Sequence, residues 1–204
     1  MTFLKDTNSG KLLKEIRANS PLIWNISNFV SMDIAANMLL SIGASPAMAH
    51  AIEEAESFAN LSKAINGALT INIGTFDKHW QKCAVKVANE AKLHDIPWVL
   101  DPVGAGASEF RSNNAKELLF LKPTVLRGNG SEIISISGVS NSGKGVDSTS
   151  SSNEALDAAI KISNDNDIIV AITGEVDYVT NGSKVYAIHG CLLYTSPSPR
   201  DVWV

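Results

Sequence analysis

The 204-residue chain has net charge −4, a pI near 5.5 and no Lys/Arg cluster, which argues against a nucleic-acid partner. No apolar run reaches the ~18 residues of a membrane span, and residues 1–20 hold scattered charges rather than a signal region. Cys83 and Cys191 lack metal-ligand spacing, so a single-domain cytoplasmic protein without disulfides is expected.

In chain order, helices and strands alternate. Lys5–Ala18, with Leu12, Leu13 and Ile16, predicts an amphipathic helix, and Leu22–Ile26 predicts a first strand followed by Ser27 and Asn28. Ser31 is placed to cap a helix with Ile34, Ala35, Met38, Leu39 and Ile42 on its apolar face and Gly43 as its stop. Ala44–His50 reads as a tight loop into a helix that turns Ile52, Ala55, Phe58 and Leu61 inward. Leu69–Ile73 alternates as a strand. Trp80, Cys83, Ala84, Val87, Ala88 and Ala91 recur at helical spacing within Thr75–His94.

A strand then follows at Trp98–Leu100, a helix through Leu118 and Leu119, a strand after Pro123 and a short helix at Glu132–Ile136. Ser137–Asn153 is rich in Ser and Gly and predicts a surface loop; Asn153–Ile162 predicts a helix and Ile168–Thr173 a strand. Val176–Ile188 predicts a hairpin turning on Asn181-Gly182. Five βα alternations before that hairpin imply an α/β fold with a mainly parallel sheet.

Two stretches carry candidate chemistry. In PWVLDPVGAG, Asp101 ends a buried strand at its carboxyl end, where open α/β sheets hold ligands. In PTVLRGNGSE, Arg127 ends the next strand, and Asn129 and Glu132 follow as N-x-x-E. A carboxylate, an amide and a guanidinium at adjacent strand ends suit Mg²⁺ and phosphate, because the hard cation takes oxygen ligands and Arg matches phosphate oxygens. A helix cap beside a solvated Arg explains the second decapeptide equally well. Gly138–Lys144 imitates a P-loop, but Gly145 stands where Ser or Thr is needed and no strand precedes it. The four histidines lack ligand spacing; His50 reads as a satisfied loop residue, and His79 and His94 as exposed helix residues.

NFVSMDIAANMLLSIGASPAMAHAIEEAE, INIGT, VLDPVGAGAS, FR, VLRGNGSEI, GVDS and ITGEVDYVTNG, in this order, resemble the hydroxyethylthiazole kinase family of the ribokinase-like superfamily. The resemblance covers about Asn8 to Gly190. It implies a three-layer α/β/α fold and transfer of phosphate from Mg-ATP to the hydroxyl of 4-methyl-5-(2-hydroxyethyl)thiazole in thiamine salvage. It also implies a homotrimer with sites between subunits. Carried over by motif, Asn28 and Met48 would touch the thiazole, Arg127 and Thr173 would bind ATP, and Asp101 and Glu132 would hold Mg²⁺ directly or through water.

The family continues past the hairpin with a Gly-Thr-Gly-Cys type segment whose N–H groups form an anion hole. Here the chain reads CLLYTSPSPRDVWV instead. The resemblance therefore implies an incomplete kinase-like domain at residues 1–190 and a non-native tail at 191–204, where CLLYTSPSPRD reads like a translated sequencing adapter. No catalytic residue is assigned, and this chain is expected to be inactive. Another ribokinase-like small-molecule kinase and a non-catalytic ligand-binding fragment are the alternatives.

Overall fold

A computed structural model of the chain describes residues 8–138 and 148–189. Among these, eight strands form one sheet: β1 (Leu22–Ile26), β2 (Ser45–Ala47), β3 (Ala68–Asn72), β4 (Trp98–Asp101), β5 (Val125–Asn129), β6 (Ile169–Thr173), β7 (Val176–Thr180) and β8 (Val185–His189). Their order is β2-β1-β3-β4-β5-β6-β7-β8. The first six are parallel, while β7 and β8 are added antiparallel at one edge. The helices are α1 (Ser9–Asn19), α2 (Met32–Ile42), α3 (Ala55–Ala64), α4 (Lys78–Leu93), α5 (Glu109–Phe120), α6 (Gly130–Ser137) and α7 (Ser148–Asn166).

The direction of the crossovers decides the layers. Parallel β-α-β connections are right-handed, so a step leftward and a step rightward along the sheet put their helices on opposite faces. The β1–α2–β2 step runs one way; all later steps to β6 run the other. Hence α2 covers one face beside α1, while α3, α4, α5, α6 and α7 pack side by side on the other. The strands alternate accordingly. Leu69, Ile71, Leu100, Leu126 and Val170 are wholly buried beneath the α3–α7 layer, and with Ala84, Val87, Ala91, Leu118, Ile133 and Ala159 they form the core. Thr70, Asn72, Asp101, Arg127 and Thr173 fall on the opposite face.

Several local expectations change. Ser45–Ala47, within the stretch expected to be a loop, pairs with Leu22–Trp24 as an edge strand, where Pro46 needs no donor on its outer side. Leu61 is exposed, since α3 turns the smaller Ala55, Ala59 and Ser62 inward and packs against α4. On α2 no residue is fully buried: Ala35, Leu39 and Ile42 face inward, but Ile34 and Met38 are 66% and 60% exposed. Ser31 precedes α2 as expected, yet its side chain makes no capping bond; Asn28 Oδ1 accepts from the Val30 and Ser31 N–H groups instead. Helix α7 begins at Ser148, within the stretch read as loop, and runs on to Asn166. The hairpin turns where expected, with Gly182 at φ 83° and Asn181 Oδ1 accepting from Ser183 and Lys184. Most of the rejected P-loop-like stretch and all of 191–204 lie outside the described residues.

Candidate active site

The strand register lines up the candidate groups. Pairing of Leu100 with Leu126 continues to Asp101 opposite Arg127, and Asn72 pairs with Asp101. Asp101 Oδ2 accepts from Asn72 Nδ2 at 2.9 Å and stands 3.5 Å from Arg127 Nη1. Burial pushes the Asp101 carboxyl up to about 6 despite the neighbouring guanidinium; Glu132 adds to the push, and the Asn72 amide opposes it. Three-quarters of the aspartate side chain is removed from water while half of the Arg127 side chain is solvated, so desolvation outweighs the ion pair.

Glu132 is buried at 6% exposure, and each of its oxygens has a partner. Oε1 accepts from the Gly104 N–H at 3.0 Å, tying the loop after β4 to α6. Oε2 accepts from the Asn129 N–H at 2.9 Å, and Asn129 Oδ1 accepts in return from the Glu132 N–H. This is a capping box, the bland reading of N-x-x-E, and it locates the carboxylate close enough to Asp101 to act on its charge. Thr173 pairs with Asn129 across β5–β6 and donates to the Gly128 carbonyl at 3.4 Å. Among the described residues, no three His, Cys, Asp or Glu gather as a metal cage.

At the other end, Asn28 is buried after β1 and donates from Nδ2 to Asn72 Oδ1 at 2.6 Å. Met48 is half-buried just beyond β2. His50 fixes this loop: the Ser27 N–H donates to its Nε2 at 3.0 Å, and its Nδ1 lies 3.2 Å from the Met48 carbonyl. With the Ser27 N–H fixed as donor, Nε2 is the acceptor and Nδ1 carries the proton. Trp24 Nε1 donates to the neighbouring Ala49 carbonyl, and the His50 ring stands against Trp80 at 4.9 Å.

Asn28, Asp101 and Arg127 are thus brought into one line, Glu132 beside it and Thr173 one strand further; Met48 stands at the end past β2. Asn72 and Arg111 were given no role from the sequence, although INIGT and FR contain them; His50, read there as a satisfied loop residue, is one, with partners on both ring nitrogens. Asn72 connects Asn28 to Asp101. Arg111 donates to the carbonyls of Ile73 and Val103 from Nη1 and of Gly74 from Nη2, clamping the loops after β3 and β4 together. His50 orders the Met48 loop. Asn72 looks like any polar residue of an alternating strand, and Arg111 entered only through the FR motif of the resemblance.

An open, mainly parallel sheet with carboxylate, amide and guanidinium groups at its strand ends is the arrangement that the resemblance to ribokinase-like small-molecule kinases implies. The hydroxyethylthiazole kinase family profile matches residues 13–194, and the chain belongs to that family. It is 48% identical over 184 residues to the hydroxyethylthiazole kinase of Rhizobium rhizogenes, covering 90% of this chain and 67% of that protein. The enzyme of the same name from Leptospira interrogans is 49% identical over 181 residues, covering 87% of this chain and 66% of that one. Hydroxyethylthiazole kinase protein from Pyrococcus horikoshii superposes with a TM-score of 0.77 at 40% identity, covering 88% of this chain and 65% of that structure. Pyridoxal kinase from Staphylococcus aureus in complex with AMP-PCP shares the fold at a TM-score of 0.59 and 16% identity, covering 82% of this chain and 70% of that structure. The chain therefore spans about two thirds of the length of its named relatives.

Proposed function

We propose that this chain carries the acceptor-, nucleotide- and cation-binding part of a kinase that transfers the γ-phosphoryl group of ATP to the hydroxyl of 4-methyl-5-(2-hydroxyethyl)thiazole. What carries the reading is the line Asn28–Asn72–Asp101–Arg127 across the ends of four adjacent strands, in a chain of this family. Asn28 and Met48 form the acceptor end. Arg127, half-exposed and held only at 3.5 Å, is free to turn its guanidinium toward phosphate oxygens, with Thr173 offering a hydroxyl one strand away.

The residues fit a hydrated Mg²⁺. Arg127 does not offset the desolvation of Asp101, so the carboxylate can take further positive charge, and both Glu132 oxygens keep a lone pair after their N–H bonds. Asp101 and Glu132 would hold the cation largely through water, since Glu132 is already committed to the backbone. Bound there, Mg²⁺ would neutralise charge on the phosphate oxygens during transfer. The chain's own contribution is to orient: Arg111 fixes the two loops, Glu132 fixes Gly104, and His50 fixes the acceptor loop.

A homotrimer is the second part of the proposal. Phe29 and Val30 are 68% and 76% exposed and stand just ahead of the exposed Ile34 and Met38, an apolar strip that a second copy would cover. Cytoplasmic residence agrees with the small-molecule substrate.

Calorimetric titration of the chain with the thiazole alcohol, and separately with Mg-AMP-PNP, tests the reading. Both ligands should bind, and Arg127→Ala should weaken the nucleotide at least tenfold while leaving the thiazole within about twofold, given that charge-assisted contacts contribute ~1.5–3 kcal/mol. Preferential binding of pyridoxal or another vitamin alcohol would move the chain to a different kinase of the fold. Nucleotide affinity indifferent to Arg127 would remove the assignment of that residue.

A further inference from the structure

Asn72 is half-buried at the end of β3, and its amide is used on both sides. Oδ1 accepts from Asn28 Nδ2 at 2.6 Å and from the Gly74 N–H at 2.9 Å, while Nδ2 donates to Asp101 Oδ2 at 2.9 Å. The partners settle which way the amide faces, since Asp101 can only accept when ionised and the Gly74 N–H can only donate. Asn28 is equally constrained: its Oδ1 takes the Val30 and Ser31 N–H groups at the entrance to α2, so its Nδ2 must point toward β3. Gly74 allows the close approach, because a Cβ there would lie 2.5 Å from Asn28 Nδ2.

We propose that Asn72 is a positioning residue that couples the two ends of the site: it holds Asn28 and Asp101 in one hydrogen-bonded unit, so that filling the nucleotide–cation end orders the acceptor end and the reverse. The inference rests on the kinase reading above. A ligand that draws on Asp101 or Arg127 shifts the carboxylate, the carboxylate shifts the Asn72 amide, and the amide carries the shift to Asn28. Coupling of this kind is reciprocal. A contiguous path with defined partners can carry it, and here every link is a single hydrogen bond between side chains or an ion pair.

The measurement is the dissociation constant of the thiazole alcohol with and without saturating Mg-AMP-PNP, by calorimetry. The wild-type chain should show a ratio of about fivefold or more, the lower range of measured couplings. Asn72→Ser, which reaches neither neighbour, and Asn72→Leu, which keeps the volume but has neither donor nor acceptor, should both bring the ratio to within about twofold of unity. Either folded variant that retains the wild-type ratio overturns the proposal. So does a wild-type ratio near one, which leaves the kinase reading standing. Failure of the wild-type chain to bind the thiazole alcohol at all overturns both. A readout without any variant is the side-chain amide NMR signal of Asn28 on adding Mg-AMP-PNP alone: it should shift, and an unmoved signal overturns the coupling even if neither variant folds.

Discussion

Asp101, proposed above to hold the cation, weakens the fold by its burial. An unfolded aspartate titrates near pH 4, ~3.9, whereas the folded one is pushed up to about 6, chiefly by burial. The folded chain therefore holds the proton more tightly than the unfolded chain. The contribution of Asp101 to stability is greatest below pH 4, falls as pH rises from 4 to 6, and is level above. Asp101→Asn should raise stability at pH 7.5 by on the order of 2–3 kcal/mol, from ~1.4 kcal/mol per pKa unit, and the gain should vanish by pH 3.5. Urea titrations at the two pH values check this. The same substitution should abolish any rise in melting temperature on adding Mg²⁺; a variant still stabilised by the cation would take Asp101 out of the metal site. Cys83 is perturbed in the same sense without a comparable role: burial, helped by Glu53, pushes its thiol up to about 11, which keeps it an unreactive core residue.

The junction of β5 and α6 carries the corresponding argument for elements. Asn129 and Glu132 satisfy each other's backbone, and Glu132 also reaches Gly104. Asn129→Ala should cost ~1 kcal/mol, as for other helix caps. Glu132→Gln should cost ~1–3 kcal/mol, because the two N–H donors facing it then meet one acceptor and one NH₂ group. Hydrogen exchange at the Gly104 amide should quicken in Glu132→Gln and stay unchanged in Asn129→Ala; equal protection in both variants would show that the β4 loop does not depend on this carboxylate. Strand ends were legible here for a chemical reason: Asp101-Pro102 and Arg127 interrupt apolar runs with groups a core does not accept. Asn72 was not, because one amide in an alternating strand looks like any polar residue facing water until Asn28 and Asp101 are seen on either side. Leu61 and Ile34 misled for a related reason, since helical spacing identifies an apolar face but not how much of it a small-residue neighbour will cover. Strand β2 is three residues long and contains a proline, so only pairing with β1 reveals it.

For the whole molecule, the exposed strip Phe29, Val30, Ile34 and Met38 is the feature that association would explain. Ile34→Glu should leave the monomer fold intact, since nothing on α2 is fully buried, and should shift sedimentation of the chain from the proposed trimer to monomer. A trimer unaffected by the charge would move the interface elsewhere.

The alternation along β3, β4 and β5 also divides the sequence by parity. Leu69, Ile71, Leu100 and Leu126 point into the α3–α7 layer, while Thr70, Asn72, Asp101 and Arg127 point the other way. A slip of one residue in any of these pairings would bury the charged groups and strip the core at once, so a misregistered chain has no partly working form. Hereditary variation should split along the same line. Substitutions at the first set should lower abundance and leave the surviving molecules competent, whereas those at the second should leave abundance intact and silence the molecules that remain. Saturation mutagenesis scored separately for protein level and ligand binding across residues 69–72, 98–101 and 125–127 would print that two-residue rhythm as two out-of-phase combs.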